Sequence, residues 1–82
     1  MNFIITHIEP EIEENPREIL DRFIVNKTDS MIYPFRLLDG DNILYFEGVC
    51  SVQSSFEPLD DFGWEYGCTD IQFFKNNVWE SI

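Results

Sequence analysis

The chain changes its hydrophobic period at Met31, and that change limits the folds open to it. Before it, Ile19, Leu20, Phe23 and Ile24 recur at the spacing of one helical face, with Arg17, Glu18, Asp21 and Arg22 pointing elsewhere. A start signal precedes them: Asn15 suits the N-cap, Pro16 the first helical position, and Glu18 stands where a capping box places its acid. The reading is a helix of about ten residues that ends within Asn26 to Ser30. After Met31 the period is two. Phe35 and Leu37 alternate with Arg36, Asp39-Gly40-Asp41-Asn42 is dense in residues that tolerate positive φ, and Ile43 to Cys50 resumes an apolar, aromatic run. This predicts a β-hairpin. Leu44, Phe46 and Cys50 share one face of its second strand and Ile43, Tyr45 and Val49 the other, so that strand is covered on both sides or central in its sheet.

Three further stretches complete the fold. Phe3 to Ile8 is β-branched enough for a short strand, stopped by Pro10. Thr69 to Phe74 alternates polar and apolar, Lys75-Asn76-Asn77 is a turn in which Asn takes the left-handed conformation, and Val78 to Ile82 closes a second hairpin. Between the hairpins, Ser51 to Gly67 mixes Phe56, Pro58, Leu59, Phe62, Trp64 and Tyr66 with acids, and reads as an ordered surface loop. The expectation is an α+β fold in the order β-α-β-β-β-β: a small antiparallel sheet of four or five strands with one helix packed on one face. Its 82 residues suffice for one core, so 1–82 is taken as a single domain, a strand-helix elaboration over 1–30 preceding a two-hairpin module over 31–82. The expected core comprises Ile19, Leu20, Phe23, Phe35, Leu37, Leu44, Phe46, Ile71 and Phe73.

Sixteen Asp and Glu against five Lys and Arg give a net charge of −11. Without a cationic stripe, the composition argues against direct binding to a phosphate backbone, and none is expected. The first residues form no basic leader and no apolar run is long enough for a bilayer, which points to a cytoplasmic protein without membrane contact. In that compartment Cys50 and Cys68 are read as buried small hydrophobes and the Asn26-Lys27-Thr28 sequon as a coincidence of composition.

Four groups of residues could carry chemistry. His7, Cys50 and Cys68 are zinc-ligand types, but their spacing fits no structural zinc pattern. Asp39, Asp41 and Asn42, or Glu57, Asp60 and Asp61, supply oxygens without the calcium-loop spacing, so no metal and no cofactor is expected. Asp60 with Asp61, or Glu57 with Asp60, could form a carboxylate pair suited to acid-base work, and a domain this small offers little concavity to desolvate one of them. His7, within an apolar strand, reads as structural or edge-exposed. The fourth group is Phe62, Trp64 and Tyr66 among Glu57, Asp60, Asp61 and Glu65, where aromatics at the centre and acids at the rim would make a binding hot spot, or where Leu59, Phe62 and Trp64 fold back onto the sheet. A second dense acidic patch is Glu9, Glu11, Glu13 and Glu14.

The stretches Arg36-Leu37-Leu38-Asp39, Tyr45-Phe46-Glu47-Gly48, Pro58-Leu59-Asp60-Asp61-Phe62-Gly63 and Gly67-Cys68-Thr69-Asp70-Ile71-Gln72 resemble an RLLD, YxEG, PLDDFG and GCTxIQ pattern of small bacterial and phage proteins. The resemblance covers roughly residues 33 to 82 and carries no established activity, cofactor or catalytic residue. It implies a bacterial or phage-linked setting, and a phage-linked one would favour an inhibitor by association alone. The expected function is a non-enzymatic acidic protein that binds a protein partner with a basic surface, as an inhibitor or a nucleic-acid mimic. The alternatives are an accessory domain that self-associates through its last strand, and a small hydrolase-type enzyme using Asp60 and Asp61.

Overall fold

A computed structural model of the chain describes residues 2–12, 15–24 and 28–82; Glu13, Glu14, the Asn26-Lys27 part of the sequon and the side chain of Ile24 lie outside the described set. The elements run β1 (Phe3–Ile8), α1 (Pro16–Ile24), β2 (Tyr33–Leu38), β3 (Leu44–Cys50), α2 (Glu57–Asp61), a 3-10 turn (Gly63–Tyr66), β4 (Asp70–Lys75) and β5 (Val78–Ser81). The α+β class, the element order, both hairpins and the main helix agree with the sequence reading. The stretch read as a loop differs: Pro58 at the first turn and the run Leu59-Asp60-Asp61 close a short helix, and Gly63 to Tyr66 a 3-10 turn.

The five strands form one antiparallel sheet in the order β1-β3-β2-β4-β5. β3 therefore lies inside the sheet, between β1 and β2, as its apolar pattern suggests. Pairing aligns Phe3 with Cys50, Ile5 with Gly48 and Ile8 with Phe46 across β1 and β3. A bulge at Thr6 offsets that ladder by one residue, so Phe3, Ile5 and Ile8 all bury on one side despite their uneven spacing. A second offset, at Tyr45, lies between the pairs Leu37–Phe46 and Leu38–Leu44.

One face of the sheet carries the core. Phe35, Leu37, Phe46, Cys50, Ile71 and Phe73 are fully enclosed, and Ile19 and Phe23 of α1 bury against the same cluster as Phe3 and Phe62. Leu20 and Leu44, expected in the core, are only half-buried and pack on its margin or line a surface cleft. Gly48 is needed at its place because a Cβ there would collide with the Phe35 ring and the Ile4 carbonyl. Phe35 uses that space, meeting Phe3 edge-on at 6.1 Å and Phe73 at 5.9 Å between ring centroids. Rings thus tie β1, β2 and β4 into one layer.

Candidate partner-binding surface

Residues 56–67 follow the rule that a short turn must close its own backbone bonds. The amides of Leu59 and Asp60 both donate to the Phe56 carbonyl, at 3.0 and 2.9 Å, and the Glu65 amide donates to the Phe62 carbonyl at 3.3 Å. Gly67 ends the run at φ 93°, a left-handed position that suits glycine, with its amide donating to the Trp64 carbonyl. Gly63 is packed beneath, where a Cβ would stand 2.8 Å from Leu37 and 3.2 Å from Cys68.

This backbone sorts the aromatics onto two sides. Phe62 is only 5% exposed and meets Phe46 at 4.8 Å, Tyr66 at 4.9 Å and Phe23 at 5.6 Å. Tyr66 is half-buried against Phe46 at 5.1 Å. Trp64, between them in sequence, is 67% exposed, more than any other large hydrophobic side chain among the described residues. Phe62 and Tyr66 therefore belong to the core and its margin, and cannot form the centre of a contact. Trp64 alone of the three projects outward.

The acids divide in the same way. Asp60, Asp61 and Glu65 are exposed, whereas Glu57 is half-buried and accepts from Asn2, at 3.2 Å from the backbone amide and 3.0 Å from Nδ2. Glu57 thereby fastens the start of β1 to α2. Asp61 and Glu65 also border a groove of about 200 Å³ beside Phe3, Arg22, Phe23 and Phe62.

The patch before the helix takes a shape that the sequence does not suggest. The Glu9 amide donates to the Tyr45 carbonyl, which extends the β1–β3 pairing and carries Glu9 and Glu11 alongside Asp39. The three acids border a cleft of about 490 Å³ with Ile12, Ile43, Leu44 and Tyr45. Asp39 meets Glu9 and Glu11 only through tertiary pairing, because in sequence it belongs to a turn. It accepts from the amides of Asp41 at 2.8 Å and Ile43 at 3.0 Å, with Asn42 at φ 64° between them. Those donors, Ile43 first, hold its carboxyl below the ordinary aspartate range.

The remaining candidates lie apart. His7 is exposed on β1 with Nε2 3.3 Å from Glu9 Oε1. Cys50 and Cys68 are free, buried thiols; burial raises both, and the nearby Asp39 charge helps push Cys68 up to about 12. Among the described residues no three His, Cys, Asp or Glu side chains converge as a metal site. Nor, among these residues, is any helix long and apolar enough to cross a membrane. Comparison with protein-family models, curated proteins and solved structures returned no match.

Proposed function

We propose that the protein is a small acidic binding domain that engages a basic segment of a protein partner through Trp64, with Asp60, Asp61 and Glu65 as the surrounding rim. The observation that carries this reading is the 67% exposure of Trp64 on a turn whose neighbouring aromatics lie in the core, Phe62, and against its margin, Tyr66. Such an indole is preorganised: it offers large apolar area without first ordering a loop. The rim acids attract Lys and Arg over a Debye length and repel acidic competitors. The resemblance to small bacterial and phage proteins favours an inhibitory use, in which the acidic domain occupies a basic groove meant for nucleic acid.

The concavity beside Glu9, Glu11 and Asp39 favours a second placement of the same chemistry. Its apolar wall of Ile12, Ile43 and Leu44 would receive the methylene stem of a Lys or Arg whose charged end meets the acids. Titration with Lys- and Arg-rich peptides that contain one aromatic residue separates the two. The Trp64 reading expects W64A to speed dissociation and D60K/D61K to slow association and flatten its salt dependence, with E9K/E11K binding normally. Unchanged binding of W64A and D60K/D61K, with loss in E9K/E11K, moves the contact to the cleft. Acidic and basic peptides binding equally to the wild type would refute both.

A further inference from the structure

We infer that the bare face of the sheet is the contact surface of a two-fold symmetric dimer of this chain, with its axis along β2. The core, α1 and the α2 segment occupy one face, and the register lays out what remains on the other. One rung reads Val49 and Pro34, then Phe74 and Trp79, since Pro34 stands one step beyond the Phe35–Phe73 pair; Ile4, the β1 partner of Val49, is only 5% exposed and lies outside the open part of this rung. Pro34 and Phe74 are exposed, Val49 and Trp79 half-exposed, and Ile32, just before β2, is 63% exposed. The next rung is polar: His7, Glu47, Arg36, Gln72 and Ser81.

Two features of this face select a second copy as its occupant. The first is charge. The chain carries −11, yet the ionisable groups near the middle of the face are Arg36, Glu47 and Asp70, a nearly balanced set where two copies can approach. Arg36 and Glu47 are Cα partners but form no ion pair with each other. The guanidinium turns the other way, lying 4.5 Å over the Trp79 ring while Nε donates to Gln72 Oε1 at 2.7 Å. Gln72 Nε2 in turn lies 3.4 Å from Ser81 Oγ, and that hydroxyl donates to Asp70 Oδ2 at 2.8 Å, which fixes the arrangement. The cation thus leans toward β4 and β5, and Glu47 stands on the opposite side of β2.

A two-fold axis along β2 exchanges those two sides. It sets the Arg36 guanidinium of each copy over Glu47 of the other, and the apolar rung over itself, with Val49 facing Phe74 and Pro34 facing Pro34. Sheets packed face to face stand about 10 Å apart, a gap such side chains fill from both sides. An isologous contact requires this self-complementarity. The second feature is size. The molecule is a plate of 33 × 32 × 21 Å, whose broad side is wide enough for the roughly 800 Å² per partner that a standard stable interface buries.

The test is sedimentation equilibrium at high micromolar concentration and physiological salt. The wild type should sediment at twice its 9.7 kDa mass. R36E and E47R should each weaken self-association by more than about tenfold, since each places like charges across the axis. Mixed in equal amounts they should recover a heterodimer, because every crossing then pairs Arg with Glu. Circular dichroism checks that each variant is folded; should either fail, V49K and F74K, at a half-exposed and an exposed position of the same face, make the same disruption. A monomeric wild type overturns the inference. So does a dimer that survives R36E, E47R, V49K and F74K alike, or two folded monomeric charge variants whose mixture stays monomeric.

Discussion

Replacing Phe46 by alanine is the most exacting test of how this fold is held. Its side chain has no exposure, stands opposite Leu37 on one neighbouring strand and Ile8 on the other, and meets the rings of Phe62 at 4.8 Å and Tyr66 at 5.1 Å. It therefore joins the sheet to the segment that carries Trp64. Removing a core Phe ring costs about 3–5 kcal/mol, transfer and cavity terms together. Edge-on ring pairs contribute about 0.5–1.5 kcal/mol beyond area. With three such pairs lost at once, the third with Tyr45 at 6.4 Å, F46A belongs near the upper end, about 4–5 kcal/mol. A domain of 82 residues has about 4–12 kcal/mol to lose. With a urea slope of about 1 kcal/mol per molar, the midpoint should fall by about 4 M, to a largely unfolded chain unless the wild type is unusually stable. F46L keeps most of the volume and should cost about 1.5 kcal/mol. Urea melts followed by circular dichroism read both. A loss under about 1 kcal/mol for F46A, or equal losses for the two variants, would refute the view that this ring is the joint between sheet and turn.

Three other outcomes follow from particular contacts. G48A should destabilise by about 1–3 kcal/mol or more, because the added methyl meets the Phe35 ring and backbone that cannot retreat; a neutral melt would contradict that packing. The Cys68 thiol should resist alkylation in the native state and react at once in denaturant, and stability should decline as pH rises from the ordinary thiol range toward about 12, since the unfolded chain ionises there first. Asp39, held low by the Ile43 and Asp41 amides, contributes stability above the unfolded aspartate range and loses it as pH falls through its own lowered value; D39N should remove that part of the acid dependence, and an NMR titration of the carboxyl carbon at an ordinary aspartate pKa would overturn the assignment.

Local signals in the sequence were enough for the elements and not for their neighbours. Asn15-Pro16 before a 3.6-residue pattern, and the residues tolerant of positive φ at Asn42, Asn76 and Asn77, mark helix and hairpins because those signals act within a few residues. The pairing of β1 with β3 joins residues from Ile8 and Phe46 out to Phe3 and Cys50, far apart in sequence, so the meeting of Glu9 and Glu11 with Asp39 is not visible in the chain. Residues 62–66 show the same limit at close range. Phe62, Trp64 and Tyr66 look equivalent as an aromatic cluster, and only the 3-10 turn, closed between Gly63 and Gly67, decides that the outer two face Phe46 and the middle one faces water. Thr6 likewise disrupts strict alternation in β1 because a bulge absorbs it.

The acidity of the chain acts in opposite directions at the two surfaces. Sixteen acids against five bases make every approach between copies unfavourable at long range, and salt weakens that repulsion. A dimer joined by the rung of Val49, Pro34 and Phe74 should therefore tighten as ionic strength rises from low to physiological, with the crossed Arg36 and Glu47 pairs, enclosed between sheets, little screened. Binding of a basic segment at Trp64 gains from the same acids and should weaken over the same range. Measuring self-association and peptide affinity across one salt series thus reads each surface through the sign of its slope. If both weaken together, attraction between charges also governs the sheet face, and the apolar rung is not what joins the copies.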